Sequence, residues 1–205
     1  MKSYETEINK VLSNPENRKN LVEYFKLNDP ENKSSLVRAM SMESGFSEYS
    51  DMFPVAGVML NRALSQNLVQ SASNFKVYGD KGLKLTPRNI DQVIKEAGEF
   101  AINKKEYNNR KPELELFIKS GKAVNQRDYS KNLEVAEDLF AGKNTFDFKG
   151  KTVNISPLYY FSKGKGSYPQ INLKTENGHH FSTHFDLKRF PFSTHSPAKV
   201  GNRLG

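Results

Sequence analysis

The sequence contains no cysteine and no tryptophan. The absence of cysteine excludes disulfide bonds, thiolate nucleophiles and cysteine-ligated zinc or iron–sulfur sites. Nowhere do about 18 apolar residues follow one another, so the sequence predicts no membrane span. The first twenty residues also lack the apolar segment and small-residue cleavage site of a secretory signal, so we expect no signal peptide.

Positive charge is in excess and unevenly distributed. The 205 residues, enough for one domain with a sizeable core, carry 31 Lys and Arg against 23 Asp and Glu, a net charge of +8. Residues 143–205 contain ten basic and three acidic residues, and all four His. A basic, aromatic-rich segment suits a polyanion such as nucleic acid, an anionic membrane surface or bacterial cell wall, although a solvated surface has the same composition.

Helix signals dominate the first two thirds of the chain, and strand signals the remainder. Ser34 or Ser35 is expected to cap one helix and Asp51 the next. The expected helices cover about 3–13, 16–27, 35–44, 51–66, 87–104, 112–120 and 130–142, and the expected strands cover 146–148, 152–155, 170–173 and 178–187.

These elements predict an α+β fold, mostly α, with a small antiparallel β-sheet toward the C-terminus. We expect one compact unit over residues 1–205. Its parts are N-terminal helices (1–30), a helical core (31–142), a basic β-rich lobe (143–190) and an irregular tail (191–205). A second domain beginning near residue 143 is the alternative.

Glu43 is the first candidate for chemistry. On a helical wheel, Leu36, Ala39, Met40 and Glu43 fall on one stripe, so a carboxylate ends the apolar face of a helix. Burial against apolar neighbours raises a carboxyl pKa, as a general acid near neutral pH requires. The alternative is that Glu43 lies at the edge of the core and extends into water.

The next helix is apolar on nearly every side and is expected to be central. Its strongly polar members, Asn61 and Arg62, stand near its end. A buried Arg needs a partner and a buried Asn needs hydrogen bonds. The two residues would therefore brace a site or satisfy backbone groups at the helix end.

Three blocks of sequence resemble the SleB-type cell-wall hydrolases. Glu43 is followed 18 residues later by Asn61 in Val55-Ala56-Gly57-Val58-Met59-Leu60-Asn61-Arg62, which is similar to the family's catalytic Glu and V-A-x-V-x-L-N-R helix. The segments at 156–161 (SPLYYF) and 177–181 (NGHHF) resemble its later Tyr-Phe segment and closing His strand. Glu43-Ser44-Gly45-Phe46 also resembles the Glu-Ser motif of soluble lytic transglycosylases, whose fold is lysozyme-like.

The resemblance implies cleavage of the peptidoglycan glycan strand between N-acetylmuramic acid and N-acetylglucosamine, without a cofactor. Glu43 would protonate the glycosidic oxygen. A hydrolytic muramidase needs a second carboxylate, for which Glu48, Asp51 and Asp80 are candidates. A lytic transglycosylase needs none, because one Glu serves as acid and then base, and we favour this reading.

The resemblance also suggests substrate contacts, but it covers the chain unevenly. Ser44 would lie beside the substrate, and Tyr160, Phe161 and Phe181 would line a sugar groove or belong to the core. The family's element after the Asn-Arg helix has no clear counterpart in residues 66–85. Residues 104–130 look like an insertion.

Two further patterns are not expected to form a metal site or a phosphate-binding site. His180 and His184 of a strand would be about 13 Å apart, too far to share one ion, so we predict no metal site. Lys163-Gly164-Lys165-Gly166 lacks the spacing of a phosphate-binding loop and is read as a flexible basic turn.

The absent signal favours a phage enzyme, located in the virion or the host cytoplasm and acting on the cell wall, with virion or tail proteins as possible partners. The rival hypothesis is a non-enzymatic module, either a basic protein that binds nucleic acid or a phage structural component. It predicts salt-sensitive DNA binding and no effect of changing Glu43.

Overall fold

The computed structural model describes residues 2–73, 89–96, 102–163 and 170–183. These residues form an α+β fold that is mostly helical, with two pairs of antiparallel strands toward the C-terminus, which confirms the expected fold class. The helices are α1 (Lys2–Leu12), α2 (Pro15–Tyr24), α3 (Pro30–Glu43), α4 (Tyr49–Ser73), α5 (Ile90–Glu96), α6 (Lys104–Ser120) and α7 (Ser130–Phe140). The strands are β1 (Thr145–Phe148), β2 (Lys151–Asn154), β3 (Tyr160–Lys163) and β4 (His179–Ser182).

Helix α4 lies at the centre of the molecule, as its apolar sequence predicts. Every residue from 51 to 67 is buried, and α1, α3, α5, α7, β1 and β3 all pack against the helix. The helix is longer than expected, because it begins at Tyr49 and continues to Ser73. Asp51 therefore lies within its first turn and does not cap it. Within the described ranges, no helix is long and apolar enough to cross a membrane.

The Asn14-Pro15 and Asp29-Pro30 pairs lie at the starts of helices α2 and α3. Asn14 accepts a hydrogen bond from the backbone N–H of Asn17 (3.0 Å), and Pro15 follows as the first helical residue. Asp29 caps α3 in the same way through the N–H of Asn32 (2.7 Å). Proline suits this position because its missing N–H would be unpaired in any case. The prediction that Ser34 or Ser35 caps α3 is therefore wrong.

A second correction concerns residues 87–130. The chain is not helical at Ile102 and Asn103, so the helix expected to reach residue 104 ends earlier. Asn103 caps α6 by accepting hydrogen bonds from the N–H groups of Lys105 (3.0 Å) and Glu106 (3.1 Å). Helix α6 then runs through Pro112 to Ser120, and the following Gly121 adopts the left-handed conformation typical of a helix end. The stretch that resembled an insertion thus contributes buried residues to the core.

The β-rich lobe consists of two separate hairpin-like pairs. Strands β1 and β2 pair antiparallel, and so do β3 and β4, with Phe161 opposite Phe181 and Lys163 opposite His179. Residues 170–173, expected to be a strand, are irregular, although Lys174 forms a bridge with His180. Strand β3 itself was not anticipated. Asp80, His184 and the tail at 191–205 lie outside the described residues.

One core joins the helices to the strands, and Gly57 of α4 lies at a close approach between them. A Cβ added at Gly57 would collide with Cδ1 of Ile155, which follows β2. We therefore expect Gly57→Ala to lower the free energy of unfolding by about 1–2 kcal/mol, because overpacking outweighs the gain in helix propensity.

A double mutant isolates this contact. Ile155→Val removes Cδ1 and should make the double mutant more stable than Gly57→Ala alone, as measured by urea unfolding. Additive effects of the two changes would contradict the contact.

Candidate functional site

Glu43 is the last residue of α3 and stands where the buried stripe of that helix meets the surface. Leu36, Ala39 and Met40 are fully buried, as the helical wheel predicts, and Glu43 is half-buried. Within the described part of the chain, its carboxylate has no hydrogen bond or ion pair. Burial raises the pKa of the Glu43 carboxyl above its usual range, and the charge of Lys163 opposes part of this rise. The group thus favours the protonated form more than an exposed Glu does.

A tight turn at residues 175–178 covers the junction between α3 and α4. The side-chain amide of Asn177 donates to the backbone oxygen of Ser44 (3.0 Å), and its backbone N–H donates to Asp51 Oδ1 (3.2 Å). Gly178, with φ of +81°, completes the turn in a conformation that favours glycine. The turn therefore fixes the β3–β4 pair beside Glu43.

Lys163, His179 and Thr175 form a row across this strand pair. Lys163 and His179 are register partners, and Thr175 donates its backbone N–H to the His179 carbonyl (3.0 Å) on the other side. Paired residues of antiparallel strands project to the same face. Since His179 and Thr175 are buried, this face is turned toward the helices, and Lys163 lies at its exposed edge.

His179 is buried as a neutral imidazole. Desolvation and the charge of Lys163 lower its pKa to about 4, while Asp51 acts in the opposite direction. Its ring and that of Phe161 pack in a T-shaped arrangement, with 5.4 Å between ring centroids. Neither ring nitrogen has a hydrogen-bond partner among the described residues, and the hydroxyls of Ser44 and Thr175 also lack one. Buried polar groups without a described partner therefore occur at Ser44, which adjoins Glu43, and in the strand pair with its turn.

Asn61 and Arg62 hold the segment that leads into β3. The Asn61 amide donates to the carbonyls of Ile155 (2.7 Å) and Leu158 (2.8 Å). Arg62 Nε donates to the Tyr159 carbonyl (2.7 Å), and its guanidinium lies 4.3 Å from the centre of the Tyr160 ring. Both residues satisfy backbone groups and, by doing so, anchor the strand that carries Phe161 and Lys163.

The candidates for a second carboxylate have other roles. Glu48 is exposed and forms a surface ion pair with Lys131 of α7 (3.1 Å). Asp51 is buried and accepts the hydrogen bond of the turn. Glu176, which the sequence did not suggest, is exposed in that same turn.

Of the aromatic candidates, two belong to the core. Phe181 is fully buried, and Tyr160 is 8% exposed beneath Arg62, so a sugar would not reach the face of either ring. Phe161 is half-buried against His179. Phe46, just after Glu43, is 37% exposed with its ring against Tyr129, and it is an aromatic surface that the sequence argument missed.

Lys163 is a second missed residue, since it ends β3 where a flexible turn was expected. The pairing of residues 160–163 with 179–182 depends on contacts between distant parts of the chain, so no local pattern shows it. No group of three or more His, Asp or Glu that could hold a metal ion occurs among the described residues. His180 lies on the opposite face from His179.

The chain matches no protein-family model, no curated protein and no solved structure. The membership suggested by the three sequence blocks, and the lysozyme-like fold that it implies, therefore stay predictions.

Proposed function

We propose that this protein cleaves the glycan strand of peptidoglycan between N-acetylmuramic acid and N-acetylglucosamine, as a lytic transglycosylase. The observation that carries the proposal is the Glu43 carboxyl, half-buried at the end of an apolar helix stripe, with a raised pKa and no hydrogen bond within the described residues. A carboxyl whose pKa is raised by burial is suited to donate a proton near neutral pH.

One carboxyl is sufficient for the proposed reaction. Glu43 gives its proton to the glycosidic oxygen as the bond from that oxygen to the anomeric carbon breaks. The resulting carboxylate then takes the proton of the muramyl 6-hydroxyl while the 6-oxygen bonds to the anomeric carbon. This closes a 1,6-anhydro ring, returns Glu43 to its protonated form and consumes no water.

A hydrolytic muramidase is the closest alternative, and the carboxylates around the site give it less support. Hydrolysis needs a second carboxylate within about 5–10 Å of the first, as nucleophile or as base. Glu48 is engaged in an exposed ion pair, and Asp51 is buried beneath the turn. These roles favour a single acid and base.

The charge distribution supports the choice of substrate. Residues 143–205 carry ten basic and three acidic residues. Peptide carboxylates and any teichoic acids make the bacterial wall anionic, so this excess would increase the rate of encounter. The same charge also suits nucleic acid, which is the basis of the rival, non-enzymatic hypothesis.

The test is digestion of purified peptidoglycan followed by mass spectrometry of the products. We expect muropeptides that end in 1,6-anhydromuramic acid. Products heavier by one water, with a reducing end, would replace the transglycosylase with a hydrolase. No products from several wall types, together with salt-sensitive binding to DNA, would overturn the enzyme assignment in favour of the binding module.

A further inference from the structure

We propose that Lys163 is a positioning residue for Glu43. The ammonium group of Lys163 competes with the proton that the Glu43 carboxyl must carry. The catalytic consequence of this inference rests on the proposed function. The electrostatic coupling between the two side chains does not, and it can be measured in the absence of any substrate.

The strand register places Lys163 on the same face of the sheet as His179. Lys163 pairs with His179, and paired residues share one face of the sheet. His179 is fully buried, so that face is turned toward the helices. The turn after residue 174 binds the backbone of Ser44, the neighbour of Glu43, through Asn177. The geometry therefore brings the end of β3 to the end of α3.

Both side chains are available for this interaction. Within the described ranges, neither the Lys163 ammonium nor the Glu43 carboxylate has a hydrogen bond or ion pair. The charge of Lys163 acts on Glu43 and on His179, lowering the pKa of each. Lys163 thus stabilises the ionised form of Glu43, against the effect of burial.

The other charged or titratable groups of the site are neutral, bound to other partners or exposed. On α4, Asp51 accepts the hydrogen bond of the turn, and on β4, His179 is neutral near pH 7. The loop carboxylate Glu48 is paired with Lys131 of α7, and Glu176 in the turn is exposed. Among the described residues, Lys163 is therefore the cation that is placed to act on Glu43.

The coupling matters because the proposed cycle uses both forms of Glu43. The first step needs the protonated carboxyl, and the second needs the carboxylate as base. Without Lys163, burial would hold Glu43 protonated to higher pH and weaken the base. The charge of Lys163 opposes this effect and favours the carboxylate that the second step needs.

The test is a titration of Glu43 by ¹³C NMR in protein labelled at the glutamate side-chain carboxyls. Glu43→Gln identifies the resonance by its disappearance. We expect Lys163→Met to raise the midpoint of the Glu43 titration by about 0.5–1 pH unit, because the opposing cation is lost. Lys163→Arg keeps the charge and should leave the midpoint unchanged. Lys163 is exposed, so both variants should fold, which circular dichroism verifies.

An unchanged midpoint in Lys163→Met, or an equal shift in Lys163→Arg, would overturn the inference. With peptidoglycan as substrate, activity is lost as pH rises through the Glu43 pKa, so the basic limb of kcat/KM should move upward by the same amount in Lys163→Met. If peptidoglycan is not cleaved at all, the proposed function fails, and the NMR titration still decides the role of Lys163.

Discussion

Glu43→Gln is expected to lower the rate of glycan cleavage by about 10²–10⁴-fold or more, while the protein remains folded. Gln is nearly isosteric with Glu but has no proton to give to the glycosidic oxygen. Glu43 has no described ion pair to lose, and burial already disfavours its charge, so a neutral side chain should be tolerated or slightly stabilising. The measurement compares release of soluble muropeptides with the midpoint of thermal unfolding.

The matched control for this variant is Glu48→Gln. The two residues are five positions apart and receive the same chemical change, but Glu48 is exposed and paired with Lys131. We expect near-normal activity, since an exposed ion pair contributes little. Full activity in Glu43→Gln would refute the role of Glu43. A large loss in Glu48→Gln would instead point to a two-carboxylate hydrolase.

The second large effect is expected at Asn61. Asn61→Ala should lower the free energy of unfolding by about 2–4 kcal/mol, because the carbonyls of Ile155 and Leu158 lose their buried donor and a small cavity remains. Glycan cleavage should fall as well, since the segment that leads into β3 is no longer fixed to α4. Urea unfolding measures the first effect and muropeptide release the second.

Asn109→Ala, at an exposed position of α6, is the control for the loss of an Asn side chain. It should alter stability by no more than about 0.5 kcal/mol. If Asn61→Ala were as stable as this control, the hydrogen bonds to residues 155–158 would not anchor the lobe.

Local signals in the sequence were sufficient to predict the helical part of the site. The stripe that ends at Glu43 follows from the 3.6-residue period, and the burial of α4 follows from its apolar composition. Asn-Pro and Asp-Pro pairs are compatible with a break or with a cap, and the start of α3 was therefore placed too late in the chain. Only the side-chain hydrogen bonds to Asn17 and Asn32 distinguish the two.

The β side of the site could not be predicted in the same way. Residues 179–182 pair with residues 160–163, and not with 170–173, because α4 anchors the segment that leads into residues 160–163. The anchors are Asn61 and Arg62, which lie about 95 positions before the carbonyls that they bind. The role of Asp51 also depends on a partner, Asn177, from the far end of the chain. Such contacts between distant positions leave no periodic trace in the sequence.

Two of the attachments of the β3–β4 pair lie on one helix, α4. Asp51 holds the turn, and Asn61 and Arg62 hold the segment before β3, at points about 15 Å apart along α4. A strand pair that is attached to one helix at two points has little freedom to move relative to that helix and close over the site. A ligand would therefore meet a site that is already shaped, and little of its binding free energy would be spent on ordering the protein. Selectivity would then come from how well the ligand fits, and not from a closing motion that the ligand induces.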